Sequence, residues 1–273
     1  MKEEKINQFN KLLEADIIYK RVLRLSESYF NNDSVGGDLK NFIKEAEFMF
    51  QGFKSNDVIV SIFNHNTYSS VSEIGAKSFW GDLPKAPKTE RISQILSLLD
   101  KNYISFPNDS VSWLTDTLQS IPVNQRVNFK FFHCGICYRR LDNKVIRLFS
   151  KGLPFHYNTD GQFTFTFNYV ENIAYLIKKD FEFYWIRFSY GANNEFVHSF
   201  HSDGKESSKK DLLTKKQKEI LKLISEDYDT KEISEKLFIS QKTVGNHRSN
   251  MINKLGVRDS TALLQIAKMA EII

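Results

Sequence analysis

The sequence predicts an α+β protein: N-terminal helices, an antiparallel sheet domain, and a separate all-α domain of four helices at the C-terminal end. Three observations carry that prediction. Residues 2–30 show helical spacing, with Ile6, Phe9, Leu13, Ile17, Val22 and Leu25 among the apolar positions. Between residues 57 and 190 the chain turns to short runs rich in β-branched and aromatic residues, and 163–169 alternates Phe with Thr. From Asp211 onward helical periodicity returns, punctuated by residues that start and stop helices.

Taken in order, residues 31–37 form a loop by their turn residues, and a helix follows from Asp38 to about Phe50. A first strand is expected over 57–63, a turn at 64–66, and a partner strand over 68–71. Helices are expected over 74–79 and 89–99, with Pro84 and Pro87 breaking the chain between them, and over 110–119, ending before Pro122. Strands are then expected over 127–141, 145–151, 163–169 and 181–190, with turn residues at Asp142, Asn143 and 159–161. Residues 198–210 have the small, polar composition of an exposed linker. The expected domains are therefore 1–54 (N-terminal helices), 55–197 (sheet domain), 198–210 (linker) and 211–273 (helical domain).

Charge is spread unevenly. The whole chain carries +5, but residues 209–273 hold 13 Lys or Arg against 9 Asp or Glu, leaving 25 against 24 for residues 1–208. The basic character sits on the helical domain, as attraction to nucleic-acid phosphate requires. The charged start, Met1 to Asn7, has no apolar core of a secretory signal, and no apolar run reaches the ~20 residues of a membrane helix. Two cysteines do not make a disulfide scaffold. A cytoplasmic protein with no membrane association is expected.

In the helical domain, Thr214 and Gln217 have capping-box spacing ahead of Ile220, Leu221, Leu223 and Ile224. Thr230 is expected to cap a second, short helix bearing Ile233 and Leu237; Phe238 and Ile239 then make the turn. Ser240 is a natural N-cap for a helix over 241–255, and Gly256 closes it as a left-handed C-cap, with Lys254 at the negative end of the dipole. At about 100° per residue, Val244, Arg248, Met251, Ile252 and Leu255 share one side of that helix. Lys242, Asn246, Ser249 and Asn253 share the other, with Asn250 at its margin. From Ser240 through Arg258 there are four cationic residues and no acid. Such a face is built to meet an anion. Asp259 and Ser260 start a fourth helix with an apolar stripe of Ala262, Leu263, Ile266, Ala267 and Ala270.

The runs 213–219, 231–237, 239–244 and 246–256 together resemble the LuxR/GerE-type DNA-binding domain. The resemblance implies that the 241–255 helix enters the major groove and that the fourth helix pairs subunits through Leu263, Ile266, Ala267 and Ala270. Position by position it assigns Lys242, Asn246, Ser249 and Asn250 to base edges, and Thr243, His247, Arg248 and Lys254 to phosphates. The residue chemistry agrees, since Asn can hold adenine by two bonds and Lys can reach guanine acceptors. Gly245 departs from the family, which often has Lys or Arg there. It removes one groove contact and costs about 1 kcal/mol of helix propensity against Ala.

The order of the middle region, two strands, short helices, then antiparallel strands, is that of a PAS domain. Residues 59–68 followed by Phe79-Trp80-Gly81, residues 103–109, and residues 138–144 leading into 145–148 resemble the PAS–LuxR regulators of some bacteria. That resemblance implies a sensing or dimerising domain; another α+β sensor fold is the alternative. A phospho-receiver is disfavoured, because it needs parallel strands alternating with helices and acids at the strand ends, and no such alternation is present.

Cys134 and Cys137, beside His133, lack the second ligand pair of a structural zinc site and lie in an expected strand, so buried unpaired cysteines are expected. None of His65, His133, His156, His198, His201 or His247 is marked as a haem ligand, and His198 and His201 are expected at a solvated surface. The aromatic sets Phe163, Phe165, Phe167 and Phe181, Phe183, Trp185 read as sheet core and subunit interface. No phosphate loop, GxSxG or HExxH is present, so an enzyme is not supported. No cofactor is predicted; a PAS-like half is of a kind that can hold a small molecule, of unknown identity. The sequence thus reads as a bacterial transcription regulator, a homodimer on double-stranded DNA, with RNA polymerase as a candidate contact. The alternative is a protein-interaction adaptor whose basic helix binds an acidic partner.

Overall fold

The computed structural model describes residues 38–50, 57–87, 90–126, 128–158, 161–203, 206–208 and 211–273 of the 273-residue chain. The helix expected over 2–30 and the loop over 31–37 lie outside the described residues. The elements, in chain order, are α1 (Asp38–Phe50), β1 (Val58–Asn64), β2 (Ser69–Ile74), α2 (Ala76–Trp80), α3 (Arg91–Leu96), α4 (Phe106–Gln119), β3 (Lys130–Arg139), β4 (Val145–Tyr157) and β5 (Phe163–Asn172). Then come β6 (Trp185–Tyr190), β7 (Phe196–His201), β8 (Glu206–Ser208), α5 (Lys215–Ser225), α6 (Thr230–Leu237), α7 (Gln241–Leu255) and α8 (Ser260–Met269). The chain divides into two compact units. One comprises the residues up to Leu99 with Arg139–Lys144 and Ser150–Asn172; the other comprises Asp100–Tyr138, Val145–Phe149 and Ile173–Ile273.

In the first unit the strands run in the order β2-β1-β5-β4, and β1 is antiparallel to both its neighbours. Val58, Val60 and Ile62, two apart, point to one face of β1 and join Phe167, Tyr169 and Leu153 in a core. Phe42 and Ala46, four apart on α1, close that core with both side chains fully enclosed. Gly75, at the turn from β2 into α2, has φ +86°, and a Cβ there would fall 2.1 Å from the Val58 carbonyl oxygen. Arg140 ties the β3–β4 turn to the end of α2: its guanidinium grips Asp142 and donates to the carbonyls of Ser78 and Phe79, each at 3.1 Å.

In the second unit β4, β3, β6, β7 and β8 follow one another, with β6 antiparallel to β3 and to β7. All six residues of β6 are buried, because both faces of the sheet are covered. Ile186, Phe188 and Tyr190 face the α4 side, where Trp113 meets Phe188 at 5.4 Å and Phe200 at 6.0 Å. Trp185 and Arg187 face the C-terminal helices, and their register partners Cys134 and Phe132 on β3 face the same way. Trp185, Phe132 and Cys134 share one continuous apolar core with Leu213, Ile220, Val244, Met251 and Leu263.

Two expectations change here. Residues 198–210, read as an exposed linker, carry the end of β7 and all of β8. His198 and His201, read as solvated, are buried: His198 stacks on Phe188 at 4.9 Å, and His201 meets the carbonyl of Lys254 at 3.1 Å. Small polar residues suggested a linker, but strand pairing and ring stacking with distant residues decide their place. Cys134 and Cys137 are buried and not joined in a disulfide, and burial pushes the Cys134 thiol up. Burial likewise pushes the half-buried His133 and His65 down to about 4, so both are neutral at pH 7.

Candidate nucleic-acid interface

Each helix of the C-terminal domain begins on a side chain that satisfies an otherwise orphan amide. Thr214 and Gln217 form a capping box at α5, as the spacing predicts. At α6 the capping box is Asp229 with Glu232, both bonds 2.8 Å, so Asp229 takes the capping position expected of Thr230. Ser240 Oγ accepts from the Thr243 amide at 3.0 Å to start α7, and Asp259 accepts from the Ala262 amide at 2.8 Å to start α8. The turn between α6 and α7 passes through Phe238 in the left-handed region, φ 52°. α6, turn and α7 form a helix-turn-helix.

The two faces of α7 separate as their periodicity requires. Val244, Met251 and Leu255 are fully enclosed, while Lys242, Asn246, Ser249, Asn250 and Asn253 are exposed. The four residues assigned to base edges thus lie along one open face. Thr243, His247, Arg248 and Lys254, assigned to phosphates, are half-buried at its flanks. The Thr243 hydroxyl lies 2.8 Å from Ser240 Oγ. Gly245 opens onto space: a Cβ there would meet nothing within 4 Å, so the departure from the family pattern leaves a gap rather than relieving a clash.

The C-terminal end of α7 is held by the sheet. Gly256 takes φ +71°, and a Cβ on it would fall 2.4 Å from the Phe181 ring. The Gly256 carbonyl accepts from the Lys178 amide, and the Arg258 amide donates to Leu176, both at 2.9 Å, around a bridge between Ile177 and Val257. Trp185 Nε1 donates to the Leu255 carbonyl at 3.4 Å. Arg187, with 4% of its side chain exposed, pins the domain at both ends. Its Nε donates to Asp211 Oδ1 at 2.9 Å, and its Nη1 donates to the Ala270 carbonyl at 3.0 Å. Burial raises the cost of charging Asp211, yet Arg187 and Lys218 together hold its carboxyl below the usual value.

The stripe on α8 is placed differently from the expectation. Leu263, Ile266, Ala267 and Ala270 are all fully enclosed in the chain's own core, so their apolar surface is already covered. Ser260, Thr261, Leu264, Gln265, Lys268 and Met269 are the residues of α8 left at least partly open. Trp185, Arg187, His201 and Lys178, which hold the helix-turn-helix, carried no sequence signal: each acts on residues far along the chain.

A reading helix with an open, acid-free polar face, started by Ser240 and preceded by a capped short helix, defines a helix-turn-helix DNA-binding protein. The family model described as "Bacterial regulatory proteins, luxR family" matches residues 211–267. The chain is 48% identical over 69 residues to the spore germination protein GerE of Bacillus subtilis (strain 168), covering 25% of this chain and 93% of that one. It is 41% identical over 75 residues to the oxygen regulatory protein NreC of Staphylococcus aureus (strain bovine RF122 / ET3-1), covering 27% of this chain but only 35% of that one. Among solved structures, the transcription factor GerE is 49% identical over 23% of this chain and 94% of its own, TM-score 0.22. The phage VqmA–DPO complex overlays 86% of this chain and 91% of its own at 13% identity and TM-score 0.32, too loose to establish a shared fold. Through residues 211–267 the chain belongs to the luxR family of bacterial regulatory proteins, and it is a DNA-binding transcription regulator. Among the described residues no helix is long and apolar enough to cross a membrane.

Proposed function

We propose that the protein reads a specific double-stranded site as a dimer, with Lys242, Asn246, Ser249 and Asn250 at base edges and a PAS-like sheet governing access to that site. The observation that carries the proposal is the open face of α7, on which these four side chains are exposed while the opposite face is sealed in the core. Thr243, His247, Arg248 and Lys254, half-buried beside that face, are the residues we assign to the phosphates of the groove walls. Two strands, short helices and then antiparallel strands support the PAS-like reading; β6, β7 and β8 go beyond that pattern. A cleft of about 650 Å³ in the first unit, with Ser70, Glu73 and Arg91 beside Val71, Ile92 and Ile95, supports a small-molecule signal. If α8 pairs two copies, it does so through Leu264, Gln265 and Lys268, since Leu263, Ile266, Ala267 and Ala270 are spent inside the chain.

Selection from random duplex DNA with the intact chain tests this reading. Enrichment of two inverted half-sites about one helical turn apart (~10–10.5 bp) is the expected outcome. A single half-site would remove the dimer, and no enrichment would leave the basic helix to an acidic protein partner.

A further inference from the structure

We propose that Lys178, on the segment joining β5 to β6, is a DNA phosphate contact that extends the reading surface of α7 beyond the helical domain. The inference rests on α7 being the DNA-reading helix. Three backbone features fix the segment to the end of that helix: the Lys178 amide on the Gly256 carbonyl, the Arg258 amide on the Leu176 carbonyl, and the Ile177–Val257 bridge between them. Ile177 and Val257 are buried, so the attachment has an apolar anchor. From there the Lys178 ammonium reaches out and donates to Asn253 Oδ1 at 2.7 Å, at an exposed position.

Asn253 is the decisive neighbour. It follows Asn246 by two turns and lies within about 20° of both Asn246 and Lys242 around the helix. The Lys178 charge therefore sits at the C-terminal end of the reading stripe, about 10 Å along the axis from Asn246. The N-terminal part of a recognition helix meets base edges, and a major groove is only about 12 Å wide. A cation that far toward the C-terminal end stands at the sugar–phosphate backbone. Lys179 beside it is exposed, as is Arg258, whose Nε is 3.1 Å from Asp259. Asp180 and Glu182 are exposed nearby in sequence and moderate the local field, so the contact is a single directed cation rather than a broad basic patch. The docked segment leaves Lys242, Asn246, Ser249 and Asn250 exposed, which places it beside the reading face and not over it.

The test uses the intact chain and three proteins: wild type, Lys178→Gln and Lys178→Arg. The Gln side chain keeps an N–H donor for Asn253 and removes only the charge. Binding to a selected duplex and to an unrelated duplex is measured from low to high salt. Lys178→Gln should lower the slope of log affinity against log salt by about 0.9 and weaken both duplexes equally, by roughly five- to tenfold near 0.1 M salt. Lys178→Arg should restore the wild-type slope. An unchanged slope in Lys178→Gln would reduce Lys178 to a structural tie, and tighter binding would make the segment a shield over the helix; either overturns the proposal. A wild-type chain that binds neither duplex would instead fail the DNA reading of α7 and take this contact with it.

Discussion

Arg187 shows most plainly what one side chain does in this molecule. It stands in β6 between buried aromatics, where an unpaired guanidinium would be costly, and is satisfied by Asp211 and by the Ala270 carbonyl. Nothing local named Asp211. Removing that carboxylate with Asp211→Asn should destabilise the intact chain by about 3–5 kcal/mol at pH 7, because a buried charge loses its counter-charge. The pH dependence follows from direction. The folded-state pKa of Asp211 is lowered, so its contribution is present above the unfolded value of about 3.9 and is lost as pH falls through the folded value. The gap in thermal midpoint between wild type and Asp211→Asn should therefore be constant from pH 7 to about pH 5 and shrink below about pH 4. A gap that ignores pH would mean the ion pair is not what seats the domain.

At the scale of elements, the helices of the C-terminal domain were legible because their signals are local. Capping residues, a left-handed glycine and a 3.6-residue stripe lie within a few positions of one another, so α5, α7 and α8 fall where the residues put them. α6 begins on Asp229 and not Thr230, a shift of one position between two good capping residues. Gly256 was legible as a C-cap, but its second duty was not: the Phe181 ring packs where a side chain would stand. Phe181 comes from the other side of the domain boundary read in the sequence, and no spacing rule links the two. Gly256→Ala should consequently cost more than a lost C-cap. Strain at positive φ and displacement of the ring together predict about 2–4 kcal/mol in denaturant unfolding of the intact chain. A loss of only about 0.5 kcal/mol would show that the ring moves aside freely. The strands β7 and β8 were missed for the converse reason. Ser, His and Gly between residues 198 and 208 read as linker, while their pairing partners lie elsewhere in the sheet.

For the whole molecule, the helical domain is not a module on a loose tether within its unit. Its core is continuous with β3 and β6, its ends are pinned by Arg187, and the end of its reading helix is held by Lys178, Trp185 and His201. Composition announced a basic domain at the C-terminal end and a near-neutral remainder, and the family match over residues 211–267 falls on that basic part. It could not announce the docking, because the buried contacts are apolar or paired and leave no trace in net charge. The central claim is that the open face of α7 reads base pairs while the rest of the helix is sealed against the protein. The most direct measurement takes the duplex enriched by the intact chain, together with every single base-pair variant of it, and compares wild type with Asn246→Ala. The expected result is a loss of discrimination of about 1–3 kcal/mol at one base pair per half-site, with the other positions unchanged. Equal discrimination by the two proteins at every position would contradict the claim and move recognition off this face.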